Sequence, residues 1–372
     1  MDFLSPRQNE KNTRNSSVEL LRIIAILFIV LSHSSAHGGF LYDNSNYNNI
    51  ILAWLSLGNL GVDIFVMITG YFSYKRVLKK DHFIKLLSQV YFYSILCFFI
   101  AFIFIKSFTL KELITVFFPT IFTEYWFFTA YFVLMLLSPY INMLIEKTSR
   151  KQFLHCIALM IIMWIIIPTF TTQNMYGSEL PQFLMLYLFG AYFKKYPDNI
   201  FKNSIFRRVV TGLSFILLYT SSVVFYILGN MIPFFACKES FFFGRTSLLV
   251  IGCAVGLFSL AVYKKAYVNK FINIIGGCTF GVYLFHDNPF IRKLLWLEWL
   301  PNFKLYDSIY LPIALILSSV FVFIVCILID YVRQRLFAGI SFEIINYLYE
   351  HIKKIVWFLS EKAKYIYRLL LK

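Results

Sequence analysis

The chain has 372 residues, of which 59% are hydrophobic, 20% are aromatic and only 15% are charged. Together with a mean hydropathy of +0.69, this composition excludes an ordinary soluble domain and indicates a polytopic membrane protein. The net charge of +16 would suggest nucleic-acid binding in a soluble protein. Six cysteines are scattered singly, without the spacing of metal ligands, so the sequence predicts neither a disulfide framework nor a metal site.

Apolar segments divide the chain into membrane spans. A helix needs roughly 20 apolar residues to cross the hydrocarbon core, and we predict an all-α bundle of about ten transmembrane helices. An eleventh apolar segment, 113–122, is too short to cross, so we expect it to be re-entrant or interfacial. The ten predicted spans are 18–35, 50–74, 84–105, 124–145, 153–170, 180–196, 209–229, 243–263, 271–290 and 309–331.

The basic residues predict the orientation of the spans. Most of the 35 Lys and Arg residues fall in the two termini and in alternate loops, which the positive-inside rule places in the cytoplasm. Residues 1–17 are then a cytoplasmic N-terminus, and residues 18–335 form one membrane domain. Residues 336–372 form a basic tail, expected to be an amphipathic helix on the inner leaflet. This distribution explains the net charge without a nucleic-acid partner.

The first span carries ionisable residues, which are costly in hydrocarbon and therefore suggest function. Arg22 and His33 are eleven residues apart, which places them on one helix face, roughly 16 Å apart along the axis. This spacing suits a cofactor whose anionic head is held near Arg22 at the inner surface while a thin arm reaches inward to a reactive end near His33. His33 would act as a general base, or else form hydrogen bonds within the bundle. Glu19 is expected to pair with Arg22, and His37 to be solvated.

The second span contains a further buried charge, Asp63. Its depth matches that of His33, so an ionised Asp63 could accept the imidazole N–H and stabilise the imidazolium. The alternative is a salt bridge that holds two helices together. Gly58, Gly61 and Gly70 in the same span predict close helix packing.

Five segments in order give a family resemblance. They are Arg22-x10-His33, GVDIFVMITGYF, YWFFTAYFVLMLLSP, FLMLYLFGAYFKKY and CTFGVYLFHDNPF. Over residues 16–335 the chain resembles the acyltransferase-3 family of bacterial inner-membrane O-acyltransferases. The resemblance implies transfer of an acyl group, most often acetyl, from cytoplasmic acyl-CoA to a hydroxyl of an envelope glycan or lipid-linked sugar. Acyl-CoA is then a donor substrate, and no permanently bound cofactor is expected.

The resemblance also implies roles for individual residues. The essential Arg and His of the family fall on Arg22 and His33. Its late motif, Ser-x-x-x-Tyr-Leu-x-His, appears here as Thr279, Tyr283 and His286, which implies substrate binding. We expect His286 and its neighbour Asp287 either to line the acceptor entrance or simply to cap a helix.

Other positions allow two interpretations. Trp126 corresponds to a Trp-Phe pair near the active site of the family, although an interfacial aromatic belt would also explain it. The Arg-x-x-Arg that the family carries after the second span is not matched cleanly, and lysines stand there instead. These lysines could attract the phosphates of CoA, without the fork geometry of arginine; they are Lys79, Lys80 and Lys85.

Two further charges are expected to be structural. Glu124, beside Trp126, is expected to be a solvated loop charge. Asp330 is expected to form a surface pair with Arg333.

A transporter or flippase of lipid-linked glycans is the alternative function. Ten spans and intramembrane charges suit that class as well. Against it, the sequence has no evident duplicated halves and no paired broken helices.

Overall fold

The computed structural model describes residues 14–43, 46–76, 79–105, 107–122, 124–171 and 179–370. Of the predicted N-terminal segment 1–17, residues 1–13 lie outside this part of the chain. The regular structure in the described ranges is helical throughout, which confirms the predicted all-α class.

The helices follow one another with short connections. The α-helices are α1 (Ser16–Ala36), α2 (Asn48–Leu55), α3 (Gly58–Ser73), α4 (Lys80–Phe104), α5 (Leu110–Phe117), α6 (Trp126–Lys147), α7 (Arg150–Ile161), α8 (Ile167–Thr171), α9 (Glu179–Lys195), α10 (Ser204–Met231), α11 (Leu248–Val262), α12 (Lys270–His286), α13 (Pro289–Lys293), α14 (Leu311–Leu336) and α15 (Ala338–Leu370). Segments Ile162–Ile166 and Leu294–Trp299 are π-helical, and Ile200–Lys202, Pro233–Phe235, Phe241–Phe243 and Asn302–Leu305 are 3₁₀ turns.

Each predicted span contains a helix. Among the described residues, seven helical segments are long and apolar enough to cross a membrane: α1, α2 with α3, α4, α6, α7 with α8, α10 and α14. The remaining three spans correspond to α9, α11 and α12, which have 17, 15 and 17 residues. At 1.5 Å per residue these helices are shorter than the roughly 30 Å hydrocarbon core. About half or more of their residues are buried, so neighbouring helices cover much of their surface.

Neither of the two segments predicted not to cross is among the helices that are long and apolar enough to span a membrane. The segment 113–122 contains most of α5, an eight-residue helix that begins at a capping box formed by Thr109 and Glu112. The tail forms α15, which packs on α4. Lys80 Nζ lies 2.5 Å from Glu350 Oε1 across that contact.

Glycines allow the central helices to approach closely, as their positions predict. A Cβ added at Gly61 would overlap the carbonyl oxygen of Ala25, which places α3 directly against α1. Gly70 and Gly190 likewise leave no room for a Cβ, because each meets a backbone oxygen of the facing helix. Helices α3 and α9 therefore contact each other backbone to backbone.

The pair formed by Asp330 and Arg333 is buried, so the expectation of a surface pair is wrong. Arg333 Nε donates to Asp330 Oδ1 at 2.6 Å, and the side-chain exposures are 8% and 0%. The Tyr93 hydroxyl on α4 donates to the same oxygen at 2.8 Å. Gly281 on α12 leaves the space that Asp330 fills. The pair thus joins α14 to α4 and α12, which the local sequence spacing does not reveal.

The bundle has two ends, which we name by their residues. The basic end contains Arg14, Lys80 and Lys270, and the histidine end contains His33 and His286. At the histidine end, the segments after α1 and after α12 pack together. Their contacts include Asn48 Nδ2 donating to the backbone oxygen of Tyr306 at 2.6 Å.

Candidate active site

His33 lies in the last turn of α1, at the histidine end of the bundle, with its side chain 16% exposed. Its Nδ1 atom lies 3.0 Å from His286 Nε2 and 3.4 Å from Asp287 Oδ1. Both partners stand where α12 ends. The ends of two helices far apart in sequence therefore meet at one imidazole ring.

The hydrogen-bond network determines the tautomers of both rings. His286 Nδ1 lies 2.6 Å from the backbone oxygen of Val282, which can only accept, so this nitrogen carries the proton. His286 Nε2 is then an acceptor, and His33 Nδ1–H must be the donor. It follows that His33 Nε2 carries a lone pair and no proton. His33 is thus held in the form that a general base requires.

Asp287 is a buried carboxylate that lies close to one cation and two imidazole rings. Its Oδ1 atom lies 3.4 Å from His33, 4.0 Å from His37 and 3.3 Å from Arg292 Nη1. Arg292 reaches back because Asn288 starts a new helix, α13, directly after the end of α12. Burial raises the pKa of Asp287, and the charge of Arg292 opposes this shift.

His37 also belongs to the site, and with 32% of its side chain exposed it is only partly solvated, not the fully solvated residue expected. It is one helical turn after His33, and the centres of the two rings are 5.0 Å apart. Burial, followed by the neighbouring His33 and Arg292, lowers the pKa of His37 to about 4. His37 is therefore neutral at neutral pH.

Glu124 is part of a buried network and is not a solvated loop charge as expected. Asn288 Nδ2 donates to Glu124 Oε1 at 2.7 Å and to the Tyr125 hydroxyl at 2.8 Å. Ser94 Oγ lies 3.1 Å from the other carboxylate oxygen. Burial raises the pKa of Glu124 to about 7. This network attaches the residue after Asp287 to the start of α6.

Asp63 does not make the predicted contact with His33 in this structure. Its Oδ1 atom accepts from Gln182 Nε2 on α9 at 3.2 Å. The reason is rotational: Gly61 faces α1, and a residue two positions later lies about 200° around the helix. The carboxylate that lies beside His33 is Asp287.

Trp126 stands at the start of α6, close to a charged pair. The Arg245 guanidinium carbon lies 4.4 Å from the centre of its ring, and Arg245 Nη1 is 2.9 Å from Glu179 Oε1. The backbone oxygen of Arg245 also accepts from Gln182 Nε2 at 2.9 Å. Trp126 and Asp63 are thus connected through Gln182 and Arg245, on the side of α3 that faces α9.

Arg22 lies two helical turns from the start of α1, on the same continuous helix as His33. Its Nη1 atom donates to both carboxylate oxygens of Glu19, at 3.0 and 3.1 Å, which confirms the predicted pair. Between Arg22 and His33, the same face of the helix carries Ile26 and Ile29, which are 0% and 5% exposed. This stripe is therefore packed in the structure.

The three lysines are not gathered around Arg22. Lys80 pairs with Glu350 of α15. Lys79 and Lys85 are exposed at the basic end. Their predicted role in binding the phosphates of CoA stays a prediction.

The late motif lies on one face of α12. Thr279 is buried and donates within its own helix to the Gly276 oxygen at 2.9 Å. Tyr283 packs against Phe127, with ring centres 5.4 Å apart. His286 completes this face and is fully buried, so it contacts His33 but is closed to solvent.

Three potential metal ligands also lie close together in this cluster. One ligand atom each from His33, His37 and Asp287 lie within 4.8 Å of one another. However, His33 Nδ1 is engaged as a donor and Asp287 pairs with Arg292. His33 Nδ1 and Asp287 Oδ1 are therefore already engaged, while His37 Nε2 lies 4.0 Å from Asp287 Oδ1.

The helical bundle defines a multi-pass membrane protein with a cluster formed by His33, His286 and Asp287 at one end. The family model described as an acyltransferase domain, of the acyltransferase-3 type, matches residues 15–331. The chain belongs to that family and is a membrane acyltransferase. No match was found among curated proteins or among solved structures.

Proposed function

We propose that this membrane acyltransferase moves an acyl group, most simply acetyl, from acyl-CoA to a hydroxyl of an envelope carbohydrate. The observation that carries the proposal is His33, whose Nε2 lone pair is fixed by the bond from Nδ1–H to His286. Family membership supplies acyl transfer as the reaction class. A protein that crosses the membrane several times can receive a donor and an acceptor from opposite sides of the bilayer.

In the proposed reaction, His33 Nε2 takes the proton of the acceptor hydroxyl as the oxygen attacks the thioester carbonyl. The tetrahedral intermediate then collapses, the carbon–sulfur bond breaks, and the proton passes from the imidazolium to the departing CoA thiolate. Asp287 lies 3.4 Å from the ring and stabilises the imidazolium. His286 holds the ring in position, which makes it a positioning residue.

Arg22 is proposed to align the anionic part of the donor. It lies roughly 16 Å along α1 from His33, and its side chain is 26% exposed. Because one guanidinium nitrogen makes both bonds to Glu19, the other donors of the fork are left for phosphate. Under the positive-inside rule the basic end, and with it Arg22, faces the cytoplasm, where acyl-CoA is made.

The test is turnover by purified protein, measured as release of the CoA thiol in the presence of an acceptor glycan. We expect His33→Ala to lose at least about 100-fold in rate, the usual contribution of a general base. His155→Ala is the matched control, because His155 is exposed on α7 at the basic end. Undiminished turnover by His33→Ala would remove His33 from the reaction.

A deletion strain separates this proposal from a flippase of lipid-linked glycans. Mass spectrometry of the envelope glycans should show the loss of one acyl mass with the amount of exported glycan unchanged. Loss of the glycan itself, with acylation intact on what remains, would instead support transport.

A further inference from the structure

A groove of about 530 Å³ opens at the basic end, between the start of α12 and the end of α14. The groove is separate from the histidine end, because Lys270 and His286 stand at opposite ends of α12. Three basic side chains and two amides surround an apolar residue in it. The lining includes Arg14, Lys270, Asn273, Ile274, Gln334 and Arg335.

Two of the cations are held in position by neutral groups. Arg14 Nη1 donates to the backbone oxygen of Asn273 at 3.3 Å. Gly277 leaves room for this guanidinium, since a Cβ there would lie 3.3 Å from Arg14 Nη1. Arg335 Nη2 lies 3.3 Å from the Tyr331 hydroxyl. A guanidinium has five N–H donors, so both arginines keep donors for a ligand.

The three cations have no carboxylate partner among the residues that the structure describes. At the same end of the bundle, Arg22 pairs with Glu19 and Arg333 pairs with Asp330. Positive charges that converge on one groove repel each other. An anion bound between them would remove that repulsion and would use the free donors.

The surroundings of the groove indicate which anion fits. Ile274 in the groove is 44% exposed, and Leu328, one helical turn before Tyr331 on α14, is 60% exposed. The cations therefore stand next to apolar side chains on the outer surface of two membrane helices. A lipid phosphate could bind the cations while its acyl chains cover the apolar side chains. Because these side chains face the bilayer, a phosphate carried by a lipid can reach the cations directly from the membrane.

We propose that this groove binds the phosphate headgroup of an anionic phospholipid. Basic pockets between transmembrane helices are a common form of headgroup site. Bound lipid would link α12 to α14 and to the segment before α1. The proposal does not depend on the acyl-transfer reaction.

Lipid binding by the full-length protein in detergent tests the proposal. Native mass spectrometry would count retained phosphatidylglycerol and phosphatidylcholine, and thermal unfolding would report stabilisation by each lipid. We expect phosphatidylglycerol to be retained and to stabilise the protein, and phosphatidylcholine to do neither. The triple variant Arg14→Gln, Lys270→Gln and Arg335→Gln should weaken phosphatidylglycerol binding by about fivefold or more for each charge removed.

The control variant is Arg208→Gln. Arg208 is an exposed arginine at the basic end whose hydrogen bonds stay within its own helix. The Arg208→Gln protein should bind phosphatidylglycerol as the wild type does. If circular dichroism shows that the triple variant is not folded, Lys270→Gln and Arg335→Gln are measured singly, and each should lose about fivefold.

Two results would overturn the proposal. In the first, folded variants retain phosphatidylglycerol as well as the wild type does. In the second, CoA stabilises the protein where phosphatidylglycerol does not, and the triple variant abolishes that effect, so the groove binds a soluble phosphate compound. Because neither measurement uses turnover, failure here is distinguishable from failure of the acyltransferase proposal.

Discussion

Asp287→Asn tests the proposed electrostatic role of the carboxylate beside His33. The variant keeps the shape of the side chain but removes its charge, 3.4 Å from His33 Nδ1. At an effective dielectric constant of about 20, this charge stabilises an imidazolium by at most about 5 kcal/mol. Arg292 lies 3.3 Å from the same oxygen and cancels part of the effect. We therefore expect a loss of about 2–4 kcal/mol, or roughly thirty- to thousand-fold in kcat.

The assay is steady-state release of CoA at varied donor concentration, from which kcat and KM are determined separately. The loss should appear in kcat and leave KM for the donor nearly unchanged, because the charge acts on the transition state. The double variant Asp287→Asn with Arg292→Gln should be faster than Asp287→Asn alone. In the single variant the unbalanced arginine repels the imidazolium, and the double variant removes this repulsion.

Asp63→Asn is the matched control, since Asp63 is a buried carboxylate that bonds Gln182 instead of His33. It should change the pH profile of kcat less than Asp287→Asn does. The reasoning is refuted if Asp287→Asn retains kcat within about threefold of wild type, or if Arg292→Gln deepens its defect.

Three further predictions concern stability and pH. Asp330→Ala leaves the buried Arg333 without its partner and should lower the free energy of unfolding by about 3–5 kcal/mol; an unchanged thermal transition would contradict this. Because burial raises the pKa of Glu124 from 4.5 to about 7, its contribution to stability is fully present below its unfolded pKa and is lost as the pH rises through about 7. Glu124→Gln should therefore flatten the pH dependence of Tm between about pH 5 and 8, and a profile that keeps the wild-type slope would count against this assignment. Gly190→Ala should sharply lower the yield of folded protein, because its Cβ overlaps the Met67 carbonyl, whereas Gly212→Ala, with nothing within 4 Å, should not; equal yields would show that α3 and α9 can separate at no cost.

The sequence predicted the helical class and the positions of the spans because a long apolar run is a local property. It could not predict that α11 would have only 15 residues. Other helices bury much of α11, so its length need not equal the thickness of the hydrocarbon core. The burial of Asp330 was missed for a similar reason. Its partners on α4 and its space beside Gly281 are distant in the chain.

Within the site, helical periodicity alone predicted that Arg22 and His33 lie on one face of the same helix. Depth along the membrane suggested Asp63 as the partner of His33, but depth does not fix the rotation of one helix about its axis. Two local signals pointed to the correct cluster: His33 and His37 are one turn apart, and His286 is followed directly by Asp287. What joins them is the meeting of two helix ends, which only the tertiary structure shows.

The packing of α1 places a requirement on any donor that binds at Arg22 and reacts at His33. Ile26 and Ile29 fill the stripe between the two residues, and Gly61 of α3 packs against Ala25 and Ile29 from outside. A thioester arm that follows this stripe therefore needs a helix packed on this side of α1 to move away, either α12, which meets Glu19 at Gly276, or α3. Since α3 contacts α9 backbone to backbone at Gly70 and Gly190, the two helices would move as one unit. The bond between Asp63 and Gln182 lies inside that unit, so Asp63 links α3 to α9 at a distance from the cluster of His33 and Asp287.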